Sequence, residues 1–297
     1  MSSDKQRSAG LRGHTVICGW NDLGRQIIHE LRSGVMEEHR PIVIVTDALE
    51  QLPSPLRPSA SVTNEAETAA DTDDFTEVLV VPGNPASNQA LQRASIAAAE
   101  TAIVLSDPRE GEHADARSVL IALAIEAIEP SVHTIVEILK SQNRIHFQHT
   151  MVDEIVCIDE FSEKLLAQSA LTHGLSEFYT RLLTATADTN EVYLVDVPER
   201  LVGKTYSEVA DELFEHASEE MILVGLQSRA RRVEGERELV NRHGRALSHR
   251  ILTINPPTDE HLATDTCLCG RGLRSRSYEL QAGDRLVVIA YHRPSLD

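Results

Sequence analysis

Short apolar runs alternate with longer segments of helical character along the first half of the chain. The runs cover residues 15–18, 41–46, 78–81, 102–105, 132–138 and 155–158. The segments between them include residues 87–99, 114–128 and 141–149. Strands that alternate with helices at this pitch are typical of a parallel, doubly wound sheet. The pattern therefore predicts an α/β domain over residues 13–159, preceded by a linker at residues 1–12.

One connection departs from this scheme. Residues 50–77, between the second and third runs, contain three prolines and seven acidic residues against one arginine. Such a composition predicts a mostly irregular, mobile insert in which a crossover helix survives only in part. A solvated insertion is the plainer interpretation of its charge, and a binding arm is the alternative.

The pattern changes after the sixth apolar run. Two helical pieces, residues 160–173 and 177–184, are separated by Gly174, and no seventh parallel strand follows. We assign residues 160–190 to a helical crossover and linker. Residues 191–297 read as a smaller α+β subdomain, with strands at 191–197, 221–225, 251–255 and 285–291, a helix at 206–214, and inserts at 228–250 and 263–281.

The turn after the first run carries the most specific chemistry. Thr15–Cys18 is followed by Gly19, and Gly24 opens a helical segment. This is the layout of a dinucleotide-binding βαβ unit, in which glycines let the backbone approach a pyrophosphate at a helix N-terminus. Asp47, at the end of the second run, is placed to accept ribose hydroxyls. Asn21 stands where the middle glycine belongs and should crowd the phosphate path. The alternatives are a pocket that still binds a nucleotide and a structural relic.

Right-handed crossovers bring the loops that follow the parallel strands to one sheet edge, where open α/β sheets bind ligands. The carboxylate of Asp47 would repel a 2′-phosphate, so we expect NAD(H) or an adenosine nucleotide rather than NADP. A turn or capping acid is the plainer interpretation of Asp47. The candidate cofactor-binding residues are Gly19, Trp20, Asn21, Leu23, Gly24, Asp47, Gly83, Asn84, Ser106 and Asp107.

Composition and charge narrow the function classes. The 297 residues include 28 Lys and Arg against 46 Asp and Glu, a net charge of −18, which argues against a nucleic-acid binder. Such acidity favours divalent cations or simply solubility. Residues 228–250 reverse the trend locally, with seven arginines against three glutamates. This basic insert could approach acidic lipid headgroups, pair with an acidic loop of a neighbouring subunit, or remain a solvated hairpin.

The four cysteines indicate a reducing compartment. Cys18 and Cys157 lie in apolar runs, where buried free thiols are common. Cys267 and Cys269 form a lone C-x-C near His261, without the second ligand pair that a structural zinc site needs. The N-terminus has no signal-peptide pattern, and no apolar run is long enough to span a bilayer. From these features we expect a cytoplasmic protein.

Several segments resemble those of a known family. The sequence Gly13-His14-Thr15-Val16-Ile17-Cys18-Gly19-Trp20-Asn21 resembles the entry to the regulator-of-potassium-conductance (RCK) domain of potassium channels. Residues 201–205, 222–225, 255–257 and 280–286 resemble pieces of the small ligand-sensing subdomain that follows such domains. The resemblance covers nearly the whole chain apart from the inserts, and its motifs are specific mainly through their order.

The resemblance implies regulation and no catalysis. RCK domains pair through a swapped helical crossover, form an octameric type of gating ring at the cytoplasmic face of the cell membrane, and pull on a potassium pore. The pore would belong to the same full-length chain or to a separate subunit, and only the pore would touch the membrane. A regulatory subunit of a potassium uptake transporter is the alternative. An NAD-dependent oxidoreductase is a weaker rival, because the chain has no Tyr-x-x-x-Lys pair.

The resemblance also implies a possible metal site. Some calcium-gated relatives carry carboxylates at the start of the small subdomain, where this chain has Asp196 and Glu199. His173 lies at about the point of the crossover where such relatives can carry an acid. A histidine is a poor calcium ligand, so this departure weakens the Ca²⁺ interpretation. A third possibility is an unnamed ligand held between two copies of the small subdomain.

Overall fold

The structure, a computed structural model, describes residues 11–32, 40–57, 78–148, 150–184, 189–216, 221–229, 250–258, 275–294 and 296. The chain divides into two compact units, residues 1–176 and 177–297. Nearly all of the N-terminal linker, residues 58–77 of the acidic insert and residues 230–249 of the basic insert lie outside the described residues. So does the segment 259–274, which contains His261, Cys267 and Cys269.

The first unit is built on a six-stranded parallel sheet with the strand order β3-β2-β1-β4-β5-β6. Its strands are β1 (Thr15–Cys18), β2 (Ile42–Thr46), β3 (Val78–Pro82), β4 (Thr101–Val104), β5 (His133–Ile138) and β6 (Glu154–Cys157). The register places Cys18 beside Val45 on one side and Val104 on the other. The doubly wound, Rossmann-like sheet predicted from the alternating pattern is confirmed. The chain runs from β1 to β2 on one side and later to β4 on the other, so the strand order reverses at β1. A ligand crevice is expected at such a switch point, outside the carboxyl end of β1.

Helices cover both faces of this sheet, so its central strands are continuous apolar runs. The covering helices are α1 (Leu23–Arg32), α2 (Asn88–Arg93) and α3 (Ala114–Ile128). A further helix, α4 (Ile158–Leu171), follows β6 and has no buried residue. Every residue of β1 and β2 is buried. The predicted buried thiols are confirmed, since Cys18 and Cys157 are both buried and free. Burial raises the pKa of the Cys18 thiol to about 12, so it is a core side chain rather than a nucleophile.

Two helical predictions need correction. The segment 87–99 is two pieces, α2 and a 3₁₀ turn at Ile96–Ala98, because Ser95 adopts a left-handed backbone with φ 53°. The segment 141–149 forms a 3₁₀ helix over Ser141–Phe147 rather than an α-helix. In the described beginning of the insert, the chain forms two short 3₁₀ turns, Leu49–Gln51 and Ser54–Leu56, and prolines at residues 53 and 55 disfavour a longer helix there. The prediction of a partly helical, mostly irregular insert concerns mainly residues outside the described ranges.

In the described part of the second unit, a four-stranded antiparallel sheet has the order β7-β10-β8-β9, and one helix packs on it. Its elements are β7 (Glu191–Asp196), α6 (Tyr206–His216), β8 (Met221–Arg229), β9 (Arg250–Ile254) and β10 (Arg285–Ala290). Its core includes Leu201, Val209, Leu226 and Leu286. Helix α5 (Leu175–Leu183) contains the boundary between the units. The predicted smaller α+β subdomain is confirmed.

Candidate ligand site at the sheet edge

Gly19 ends β1 with a left-handed backbone, at φ 89°. Its N–H donates to the carbonyl of Val45 at 2.9 Å, which continues the hydrogen bonding between β1 and β2. A Cβ at this position would lie 2.7 Å from the carbonyl oxygen of Leu105. Glycine is therefore required by the backbone itself, because the turn crosses directly beside the end of β4.

Trp20 and Gly24 form a packed pair at the start of α1. The indole is buried, with 4% of the Trp20 surface exposed, and a Cβ on Gly24 would lie 2.8 Å from the ring. The third glycine of the motif thus lets the helix approach a tryptophan ring that packs with Ile17, Ile28 and Leu105. This role in packing needs no phosphate.

Asn21 fills the position where the motif usually has its middle glycine. Its side-chain oxygen accepts the N–H of Leu23 at 3.0 Å, so one of the unpaired donors at the start of α1 is already used. Its side-chain nitrogen donates to the carbonyl of Ser106 and to the carboxylate of Glu137, each at 2.8 Å. The amide therefore takes over hydrogen bonding that a bound pyrophosphate would need.

Ser106 belongs to the same buried network. Its N–H donates to the Glu137 carboxylate at 3.1 Å, and its hydroxyl lies 2.9 Å from that of Ser118. Asp115, at the start of α3, accepts the Ser106 hydroxyl at 3.3 Å and the N–H of Leu139 at 2.8 Å. Ser106 is only 1% exposed, so it supports the crevice from below through these hydrogen bonds and does not face the ligand space.

Glu137 and Asp115 are residues that the sequence reasoning missed. Burial raises the pKa of Glu137, hydrogen bonds from Asn21 and Ser106 lower it, and the charge of Asp115 raises it further. The available signal was an acid inside an apolar run, since Glu137 interrupts residues 132–138. A carboxylate placed in a buried strand needs partners, and here they are the turn after β1 and the end of β4.

Asp47, the predicted ribose acceptor, is held by an arginine. One guanidinium nitrogen of Arg117 donates to both carboxylate oxygens, at 2.8 and 2.6 Å. The other terminal nitrogen of Arg117 contacts the carboxylate of Glu110. Arg117 was not among the predicted site residues, and it lies 70 residues from Asp47 in the sequence.

A narrow cleft lies between these groups. Gly19, Trp20, Asp47, Asp107 and Arg117 contribute to its walls, and its free volume is ≈ 20 Å³. Such a space accommodates about one water molecule, so a nucleotide could enter only if the walls separate. Four of the ten predicted residues thus meet at one cleft. Gly83 and Asn84 follow β3 and are not part of its described lining; the Asn84 side chain instead accepts the N–H of Ala86 at 2.9 Å.

Comparison with known proteins shows a family resemblance over the first unit. Residues 10–136 match the family model described as the calcium-activated potassium channel slowpoke-like RCK domain. This part of the chain is similar to RCK domains.

Matches to individual proteins cover more of the chain than residues 10–136. The calcium-gated potassium channel TvoK of Thermoplasma volcanium is 25% identical over 209 residues, which cover 69% of this chain and 53% of that channel. Potassium channel subfamily T member 1 of Gallus gallus is 25% identical over 214 residues, 63% of this chain and 17% of that protein. The chain therefore spans about half the length of the first relative and much less of the second.

The human SLO3 gating ring has a similar fold. It superposes with a TM-score of 0.57 at 16% identity, covering 94% of this chain and 44% of that one. At this identity the likeness concerns the fold alone, and it includes both units. Within the described residues, no helix combines the length and the apolar character that crossing a bilayer requires.

The two predicted calcium ligands lie at and just after the end of β7. Asp196 accepts a hydrogen bond from the guanidinium of Arg285 at 2.9 Å, and Glu199 is exposed in a short 3₁₀ turn. His173 is exposed just after α4. Among the described residues, no three His, Cys, Asp or Glu side chains are grouped so that they could hold a metal ion. The Asp196 carboxylate is paired with Arg285 through one oxygen, and its side chain is 77% exposed.

Proposed function

We propose that this chain is the regulatory gating part of a potassium channel at the cytoplasmic face of the cell membrane, without enzymatic activity of its own. The observation that carries the proposal is the match of residues 10–136 to the RCK family model. The similarity to a calcium-gated potassium channel over 69% of the chain supports it. A regulatory subunit of a separate potassium transporter has the same fold and differs only in its membrane partner.

Gating by such a chain is a population shift. A ligand opens or closes a pore only to the extent that it binds one conformation of the gating assembly more tightly than the other. The binding free energy becomes a mechanical force on the pore helices when both are joined in one assembly. The chain therefore needs a ligand site and a surface through which copies of it assemble.

Helices α4 and α5 supply a candidate assembly surface. Within the described structure, neither helix has a buried residue, yet both carry large apolar side chains. Phe161, Leu171, Phe178 and Leu183 are exposed by 49%, 83%, 55% and 66%. Apolar side chains in such number usually mark an interaction site. We infer that these helices form the swapped crossover of a homodimer, and that dimers assemble into an octameric gating ring.

The ligand that we propose first is an adenosine nucleotide or NAD(H) at the crevice beside β1. The support is the position of Asp47 at the carboxyl end of β2, where ribose hydroxyls meet an acid in nucleotide-binding sheets. Because Asn21 occupies part of the phosphate-binding position, we expect the ribose and base to contribute more than the pyrophosphate does.

Calcium is the second candidate ligand. The observation that favours it is the similarity to a channel described as calcium-gated. Asp196 and Glu199 would be the carboxylates involved. Ca²⁺ takes six to eight oxygen ligands, so further donors would have to come from backbone, water or a second copy of the chain.

Thermal unfolding with separate additions of NAD⁺, NADH, ATP, ADP, AMP and Ca²⁺ tests the choice of ligand. A ligand that binds only the folded state adds about 2.7 kcal/mol at roughly 100-fold saturation. We expect one nucleotide to raise the unfolding temperature, and Asp47→Ala to abolish that shift without affecting any calcium response. A calcium shift lost in an Asp196→Ala, Glu199→Ala double variant would assign sensing to the second unit instead.

Potassium currents test the gating function. The membrane protein that contains or accompanies this chain is studied in excised patches, with each ligand applied to the cytoplasmic side. We expect the ligand that stabilises the chain to change the open probability, and Asp47→Ala to remove the response to a nucleotide. Currents that respond to none of the ligands that bind the chain would refute the proposed gating role.

A further inference from the structure

Two arginines connect the loops on either side of the crevice at the carboxyl end of β1. Arg117 of α3 contacts Asp47, which follows β2, and Glu110, which follows β4. Arg109 contacts Asp107 at 2.8 Å and approaches Glu50 at 3.8 Å, so it joins the same two loops further out. The crevice where an open α/β sheet binds its ligand is thus crossed by charged pairs.

We propose that Arg117 is a latch that keeps this crevice closed, and that ribose hydroxyls must displace its guanidinium from Asp47 in order to bind. The inference rests on the proposed nucleotide site and adds a residue that controls access to it. While the Arg117–Asp47 pair is formed, the affinity for nucleotides is low. Because Arg117 belongs to α3, nucleotide binding would be coupled to the position of that helix.

The geometry of the pair supports the latch. A single Arg117 nitrogen bonds both Asp47 oxygens, at 2.8 and 2.6 Å, so both oxygens already have a charged partner in the closed state. Ala114, Arg117, Ser118 and Ile121 all line the cleft, which means that one face of α3 forms its wall. The free volume of ≈ 20 Å³ inside the cleft holds about one water molecule, and Arg117 is one of the side chains that bound it.

The strength of the Arg117–Asp47 ion pair depends on how far its side chains are exposed to solvent. The Arg117 and Asp47 side chains are 28% and 43% exposed, so solvent screens their attraction. Measured pairs of this kind shift an equilibrium by about two- to fivefold. The apparent affinity of a ligand is its intrinsic affinity reduced by the fraction of open molecules, so removing the latch should tighten binding by a similar factor.

Adenosine is the probe of choice, because it carries the ribose hydroxyls without a charge that would respond to Arg117 directly. We expect Arg117→Met to bind adenosine about two- to fivefold more tightly than the unmodified chain in calorimetric titrations. Arg40→Met is the matched control. Arg40 pairs with Glu100 at 2.7 Å at the opposite end of the same sheet, where β2 and β4 begin, and its loss should leave adenosine affinity unchanged.

Salt gives a second readout that needs no variant. Raising NaCl from about 50 mM to about 500 mM shortens the screening length severalfold and should weaken the Asp47–Arg117 pair. Adenosine affinity of the unmodified chain should then increase, and that of Arg117→Met should stay constant.

The outcomes separate the latch from the nucleotide site. Measurable adenosine binding that Arg117→Met fails to tighten, or that salt leaves unchanged, overturns the latch and leaves the proposed nucleotide site standing. No adenosine binding to the unmodified chain or to Arg117→Met, at either salt concentration, overturns both. Should Arg117→Met not fold, the salt series on the unmodified chain decides alone.

Discussion

The side-chain amide of Asn21 donates a 2.8 Å hydrogen bond to the carboxylate of Glu137, 116 residues further along the chain. The same amide holds the carbonyl of Ser106, whose N–H donates back to Glu137. One side chain thereby fixes the turn after β1 to the ends of β4 and β5. The residue that departs from the dinucleotide-binding motif is thus the centre of a buried network.

Replacing Asn21 by glycine restores the usual motif and removes this network. Asn21→Gly should lower the free energy of unfolding by about 1–3 kcal/mol, because Glu137 is left buried with one donor fewer. Urea unfolding monitored by circular dichroism measures the loss. Asn84→Gly is the control, since the Asn84 side chain accepts the N–H of Ala86 in an exposed turn, and it should cost under about 1 kcal/mol. Equal losses in the two variants would show that the network contributes no stability.

Glu137 should make stability depend on pH in a defined direction. Burial raises the pKa of Glu137 above its ordinary 4.5, so the folded state keeps a proton that the unfolded state releases. The free energy of unfolding contributed by this group therefore falls as pH rises from about 4.5 through the raised pKa. Glu137→Gln removes that fall, so the variant should gain stability relative to the unmodified chain across this window.

Urea midpoints of both proteins from about pH 4 to about pH 8 test this sign. Asp115 is the charged neighbour that acts in the same direction, and it is present in both proteins. If the urea midpoints of the two proteins differ by the same amount at every pH, the pKa of Glu137 is not raised.

Gly19 should tolerate no side chain. In Gly19→Ala the new Cβ would meet the Leu105 carbonyl at 2.7 Å, and backbone cannot move aside as a flexible side chain can. We expect a loss of about 3 kcal/mol or more in urea unfolding, because the clash adds to the left-handed strain. Gly203→Ala separates the two effects: Gly203 has nearly the same positive φ, 85°, but a Cβ there meets nothing within 4 Å. It should lose about 1–2 kcal/mol, and an equal loss at Gly19 would rule out the clash.

The apolar surface of α4 and α5 should hold a dimer together. A variant with Leu171→Glu and Phe178→Glu places two charges on side chains that are 83% and 55% exposed, so the fold should survive while the interface does not. Light scattering should report a mass half that of the unmodified chain. Phe214→Glu, at a side chain 91% exposed on α6, is the control and should stay dimeric. A double variant that also stayed dimeric would exclude this crossover surface.

The sequence predicted where much of the site lies, but it did not predict which side chains its residues contact. Parallel strands bring the loops after β1, β2 and β4 to one edge, so Gly19, Asp47, Ser106 and Asp107 could be placed there from the strand pattern. Their contacts depend on residues far away in sequence. Arg117 occupied an ordinary place in a predicted helix, and only the packing of α3 against the sheet brings its guanidinium to Asp47.

The sequence by itself determined the alternation of strands and helices, the parallel sheet and the smaller second unit, because burial on both faces of a sheet leaves apolar runs that can be read locally. It also carried the segments that resemble those of RCK domains. The tertiary structure alone decided that Asn21 caps its own helix, that Glu137 lies beneath the turn, and that Arg117 closes the crevice. These are polar contacts between distant segments, and their energies depend on distances and burial that no local pattern contains.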